Sequence, residues 1–283
     1  MNEPLAKPGF GERQLDLRLL VDELLRDGRL SGTDAERVTL SRRGQDNASL
    51  HPLNFLAQLE LADPSQGGKQ HTIDSLVSWL AEKSEQEWYR IDPLKIDVAA
   101  VTEVMSFAFA RRHGILAVEV DPEEVLVASA EPYITAWESG LEHVTRRRIR
   151  RVLVDPADLE RYMVEFYTLA KSVSGASGAP GGLKSASMLS NLEQMLDLGS
   201  MQDPDANDQH IVSIVDWLLQ YAFDQRASDI HVEPRRDTGH VRFRIDGILH
   251  TVYEFPIQVA AAVTSRIKIL GRMDLAEKRR PQD

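Results

Sequence analysis

Between Ser172 and Ser187 the sequence reads SVSGASGAPGGLKSAS, and no stretch constrains the fold more. Ser, Gly and Ala dominate it. It has almost no apolar surface to bury and cannot offset the entropy of ordering its backbone. A flexible linker is expected there, so no single core runs through the chain. At 283 residues the chain is already long for one domain, and two or three separately packed units follow. A weakly amphipathic piece, MLSNLEQMLDLG, and a polar run, QDPDANDQ, complete the connection to residue 208.

Ahead of the linker, residues 1–14 read as a disordered leader. Leu17, Leu20, Val21, Leu24 and Leu25 share one face of a helix near Leu15–Asp27, which Gly28 stops. A second short helix is predicted at Pro52–Leu61, with a polar loop at Ser41–Ser49 and a turn at DPSQGGKQ. Thr72 caps a helix over His71–Glu82 whose Ile73, Leu76, Val77 and Leu80 form a buried stripe. Val98–Arg112 continues the helical pattern as one helix. The period then changes. Ile115–Val120 and Val125–Ser129 are β-rich runs around Asp121-Pro122, a hairpin. A helix near Ile134–His143, a strand at Ile149–Val154 and a helix opening at Asp155-Pro156 complete an α+β domain. Leu159, Tyr162, Met163, Phe166 and Leu169 line the face of that last helix.

Structure resumes after the linker with a helix over His210–Asp224, its apolar side formed by Ile214, Val215, Leu218, Leu219 and Ala222. A strand signal, SDIHVEP, follows. In HVRFRIDG, Val241, Phe243 and Ile245 alternate with Arg242, Arg244 and Asp246, so one face packs and the other presents both arginines. Asp246-Gly247 is a strong hairpin turn into a strand over Ile248–Phe255, and Ile257–Leu270 closes as a helix.

Net charge is −11, which argues against nucleic acid as a partner. Residues 209–283 carry 11 Lys+Arg against 10 Asp+Glu, which leaves −12 on the first 208 residues. A phosphate ligand is therefore expected at the arginine-bearing end. With no cysteine there is no disulfide framework and no thiolate metal site. The first twenty residues lack the apolar block of a signal peptide, and no run approaches a membrane span, so a cytoplasmic protein is expected.

Three strings in order, ASDIHVEPR, VRFRIDGIL and SRIKILGRMDLAEKRRPQD, resemble the small domain that precedes the ATPase core in the type II secretion and type IV pilus ATPases. The block from Ile73 to Lys171, with Tyr89-Arg90-Ile91-Asp92-Pro93-Leu94, resembles the N-terminal domain of the same family. The resemblance implies a leader and helical module at 1–62, an α+β docking domain at 63–171, a linker at 172–208 and an α/β small domain at 209–283. It also implies docking on an inner-membrane platform protein, peripheral association with that membrane and a homohexamer when the core is present. ATP and Mg²⁺ are the cofactors of a complete member. In the family the string RPQD runs into a Gly-Arg pair just ahead of the core; here Asp283 is the last residue. No G-x-x-x-x-G-K-[ST] occurs among the 283 residues, so this polypeptide alone is expected neither to bind ATP·Mg²⁺ in that way nor to hydrolyse it.

By the same resemblance, Arg242, Arg244, Arg266 and Arg280 are candidate contacts for nucleotide phosphates, a role for which the always-charged planar guanidinium is suited. The competing reading makes them solvated surface charges. Asp229, His231 and Glu233 share a strand face, where caps and ion pairs are preferred to a metal site. Arg146–Arg151 (RRRIRR) reads as an exposed edge strand guarded by charge, with a basic patch for anionic lipid or a nucleotide messenger as the alternative. Some relatives bind cyclic di-GMP through an Arg-Leu-Gly start and a spaced Gly-Leu/Ile element. Here Arg18-Leu19 and Gly28-Arg29-Leu30 are present, but Leu20 replaces the glycine and the interval is one residue long. A partner-docking helical pair is the preferred reading of that module. A free-standing adaptor, binding a platform protein or cyclic di-GMP, is the rival to the motor reading.

Overall fold

The computed structural model describes residues 12–41, 50–177 and 205–282. Residues 1–11 of the expected leader, residues 42–49 of the expected loop, residues 178–187 of the expected linker and the piece MLSNLEQMLDLG fall outside them. The chain forms two compact units. One comprises Met1–Ile91 with Phe107–Met163, the other Asp92–Ser106 with Val164–Asp283.

The first unit begins with three helices, α1 (Leu17–Arg26), α2 (Gly32–Leu40) and α3 (Pro52–Gln58). The Asp16 carboxylate caps α1, and Gly28, at φ 67°, turns the chain out of it. Helix α2 was not legible in the sequence: only Ala35 and Val38 of it are buried, and Ser31 supplies its cap through the Asp34 N–H. A two-residue ladder, β1 (Ala62–Asp63) with β2 (Lys69–Gln70), brackets a 3₁₀ turn at Pro64–Gln66 and leads to α4 (Ile73–Ser84). Thr72 and Ser75 cap α4 reciprocally. Leu20, Leu24, Leu53, Leu56, Leu76 and Leu80 form the core of this helical half.

The rest of the first unit is a four-stranded sheet in the order β3 (Glu87–Trp88), β6 (Arg148–Leu153), β5 (Glu124–Ser129), β4 (Ile115–Val120). The predicted hairpin is the antiparallel β4–β5 pair, whereas β6 runs parallel to both β5 and β3. Ile115–Val118 and Val125–Ala128 are buried consecutively rather than alternately, so these strands are covered on both faces. Strand β3 reaches β6 only at Val152 and Leu153. Arg148–Arg151 therefore has β5 on one side and an open edge on the other, and the edge expected there exists over only part of the strand.

Two helices differ from expectation. The single helix over Val98–Arg112 is instead α5 (Val98–Val104) and α6 (Phe107–His113), broken where Met105 turns extended at φ −148°. The Tyr167 hydroxyl donates to the freed Met105 carbonyl at 2.8 Å, a tertiary contact that the local pattern does not carry. Helix α7 (Glu138–Thr145) starts four residues later than expected, because Trp137 Nε1 donates to the Ile134 carbonyl and holds a turn ahead of it.

Helix α8 (Pro156–Ala176) runs past the start of the Ser/Gly/Ala stretch. Val173 is buried, and the Ser177 hydroxyl donates to the Val173 carbonyl. In the second unit, α9 (Gln209–Asp224) and α10 (Ile257–Leu270) cover one face of an antiparallel sheet, β7 (Asp229–Pro234), β8 (Thr238–Ile245) and β9 (Ile248–Pro256), in that order. Val241, Phe243 and Phe255 are buried beneath Val259, Ala260 and Val263, with Ile211, Ile214, Val215 and Leu218 from α9. Leu219, assigned from the sequence to the apolar side of α9, is instead exposed, and Ile211 and Tyr221 are buried in that helix.

Candidate functional site

The arginine-bearing face is built by the period of β8. Gly239, Val241 and Phe243 point into the core, while His240, Arg242 and Arg244 stand half-buried on the other side. Asp246 and Gly247, at φ 49° and 81°, form the two-residue turn that pairs Ile245 with Ile248. Gly239 is the point of closest approach to α10: a Cβ there would lie 2.2 Å from that of Ala260. The sheet is thereby pressed onto its helix, and the outer face rests on a rigid base.

Strand β7 supplies what the arginines touch. Its register sets Asp229 opposite Arg244 and His231 opposite Arg242. Arg244 Nε donates to Asp229 Oδ2 at 2.9 Å, and its Nη1 lies 3.4 Å from the Gly247 carbonyl. Arg242 pairs through Nη2 with Glu233, which also takes a 3.4 Å contact from Arg235. Arg242 Nε is buried and has no hydrogen-bond partner among the described residues. His231 Nε2 lies 2.8 Å from Asp229 Oδ2 and 3.2 Å from Arg244 Nη2. One nitrogen cannot donate to the carboxylate and accept from the guanidinium at once, so the proton on His231 selects between two arrangements. The hydrogen bond from His231, then that from Arg244 with its charge, holds the Asp229 carboxyl below its ordinary range. The hydrogen bond from Arg242 does the same for Glu233.

The four candidate arginines are thus separated into a pair and two others. Arg242 and Arg244 share the sheet face. Arg266, on α10, reaches Asn207 Oδ1 at 3.4 Å. Arg280 lies in a closing turn where Glu277 accepts its backbone N–H at 3.1 Å. In that turn Gln282 clasps Asp274, accepting from its N–H at 2.7 Å and donating to its carbonyl at 2.9 Å. The partners of the arginines, Asp229 and Glu233, carried a sequence signal in their alternation, but the β7–β8 register that selects their partners did not. Both carboxylates are committed to guanidiniums. Neither is therefore free to hold Mg²⁺. Among the described residues no group of His, Asp and Glu is arranged to hold a metal ion.

In the first unit the arginine run is also paired. Arg148 meets Glu124 at 3.1 Å, Arg150 meets Glu124 and Glu87 at 2.9 and 2.8 Å, and Arg151 meets Glu138. They line an open groove of about 520 Å³ whose four glutamates outnumber its three arginines, which disfavours an anion as its occupant. Arg18 lines a separate groove of about 330 Å³ with Leu17, Val21 and Val38. Arg29 does not join it: its Nε is bonded to the buried Asp63 at 3.0 Å. No helix among the described residues is long and apolar enough to cross a membrane.

Comparison with known proteins gives matches along most of the chain. Residues 204–283 match the family described as Type II/IV secretion system protein, and residues 85–173 match the MshEN domain. The chain is 45% identical over 271 residues to the type IV pilus assembly ATPase TfpB of Acinetobacter baylyi, covering 95% of this chain and 46% of that protein. It is 30% identical over 186 residues to the type II secretion system protein E of Pseudomonas aeruginosa, covering 65% of this chain and 36% of that protein. A solved structure of MshE with cdg aligns with 52% of this chain and 98% of that one, at 20% identity and a TM-score of 0.36. The chain spans less than half the length of both curated relatives.

Proposed function

This chain belongs to the family of type II secretion and type IV pilus assembly ATPases, and from that premise we propose that it is the docking and phosphate-sensing portion of a hexameric motor. In this reading the first unit docks on an inner-membrane platform protein at the cytoplasmic surface. The second unit presents its β8 arginines to nucleotide held by an ATPase core, and closure of one on the other transmits the power step. ATP and Mg²⁺ would be held by a phosphate-binding loop that these 283 residues do not contain, and would supply the phosphoryl-transfer chemistry there. This chain's own contribution is charge placed in a fixed direction, since a guanidinium remains protonated and offers a planar fork of donors.

The observation that carries the reading is the face on which Arg242 and Arg244 stand side by side, backed by a sheet packed tightly on α10. The longer and closer match to a pilus ATPase supports the pilus machine over the secretion machine.

The coding sequence that follows the Asp283 codon tests the motor reading. An in-frame continuation through Gly-Arg to a G-x-x-x-x-G-K-[ST] is expected. A stop codon, with no such core encoded nearby, would replace the motor with a free-standing adaptor.

A further inference from the structure

The sequence treats Arg242 and Arg244 as equals, but their hydrogen bonds do not. A guanidinium offers a side edge, Nε with one Nη, and an end edge formed by the two Nη nitrogens. Arg244 is anchored by its side edge: Nε donates to Asp229 at 2.9 Å, and Nη2 faces His231 at 3.2 Å. At the end edge its one contact among the described residues is with the Gly247 carbonyl at 3.4 Å, near the limit of a hydrogen bond. Each Nη carries two N–H groups, so donors remain for a bidentate partner. Arg242 is arranged the other way. Its terminal Nη2 is taken by Glu233, and its Nε is buried. A phosphate at the end edge of Arg242 meets the Glu233 carboxylate already bonded to Nη2 and is repelled by it as a like charge.

We infer that Arg244 is the arginine of this sheet that meets a polyphosphate, that Asp229 is its positioning residue, and that Arg242 is bound in a structural pair with Glu233. The inference rests on the proposal that this face meets nucleotide phosphates. It adds which side chain does so and what aims it. Asp229 fixes the side chain before the ligand arrives, so less rotamer freedom is lost on binding.

The test uses the ¹⁵N-labelled full chain, titrated with sodium tripolyphosphate at low ionic strength while the arginine Nε–H signals are followed by NMR. The Arg244 signal, slowed in its exchange with water by the Asp229 bond, is expected to shift at lower tripolyphosphate than the Arg242 signal. D229A should weaken the Arg244 response about fivefold. D229N, which keeps an acceptor oxygen, should restore much of it, and E233Q should leave it unchanged. Unaltered backbone amide spectra show that each variant is folded. If Arg242 shifts first, or D229A leaves the Arg244 response as it was, the positioning claim fails while the phosphate reading stands. If neither arginine responds at about 10 mM tripolyphosphate, the phosphate reading fails and the inference with it.

Discussion

Each compact unit contains an Arg–Asp–His trio, and the two differ chiefly in how much water reaches them. In the first unit Arg29 Nε bonds Asp63 at 3.0 Å, with side chains 18% and 3% exposed, and His71 is 3% exposed. In the second unit Arg244 Nε bonds Asp229 at 2.9 Å, with side chains 35% and 47% exposed. His71 has one arrangement: Nε2 donates to the Arg29 carbonyl at 2.7 Å, and Nδ1, 3.9 Å from Asp63, is unbonded among the described residues. His231 has two, because its Nε2 faces both a carboxylate and a guanidinium. The same residue types therefore fasten a turn in one place and leave a charge available in the other. Burial decides, because desolvation makes an unpaired charge costly only where water is excluded.

The largest effect separates the trios by stability. D63N removes the charge partner of Arg29 and should cost about 3 kcal/mol in urea unfolding. D229N should leave the melting temperature where it was, because Asp229 stands in solvent. Equal losses from the two substitutions would break the comparison.

The exposed face should still depend on its backing. G239A brings a Cβ to 2.2 Å from that of Ala260 and should cost about 2 kcal/mol in thermal unfolding. A neutral result would show that sheet and helix separate easily, and that the arginines lack a rigid base.

A third test asks whether burial acts in the same way in the second unit. Tyr167 is half-buried, and desolvation raises its hydroxyl well above the ordinary tyrosine range. Its hydroxyl donates to Met105 at the break between α5 and α6. Y167F should cost about 1 kcal/mol, with faster amide exchange around Met105. No change in either would sink the assignment of that break to Tyr167.

The smallest effect is in acid. Burial alone would raise the Asp63 carboxyl, but hydrogen bonds from Ser65 and Arg29, with the guanidinium charge, outweigh it and hold the carboxyl below its ordinary range. A depressed folded-state value means that its contribution is complete above the unfolded value near 4 and is lost as pH falls through the folded one. Stability of the wild type should fall below about pH 4 more steeply than that of D63N. Parallel curves would contradict the pairing.

What the sequence made legible was local. The alternation in VRFRIDG and the Asp246-Gly247 turn placed both arginines on one face, and the Thr72 cap placed α4. Contacts between distant positions were not legible. The helix break at Met105 is bonded by Tyr167, 62 residues away, and the different bonding of Arg242 and Arg244 follows the β7–β8 register. Helix α2 was missed because two buried side chains leave too weak a period to detect. The Arg29–Asp63 pair, 34 residues apart, had no sequence signal at all.

ATP hydrolysis by a fusion in which this chain replaces the matching segment of the Acinetobacter baylyi pilus ATPase tests the central claim most directly, with R244A compared against R242A. The account predicts that R244A lowers kcat about tenfold or more at an unchanged melting temperature, and that R242A lowers it far less. An R244A fusion that hydrolyses ATP at the unsubstituted rate would contradict it.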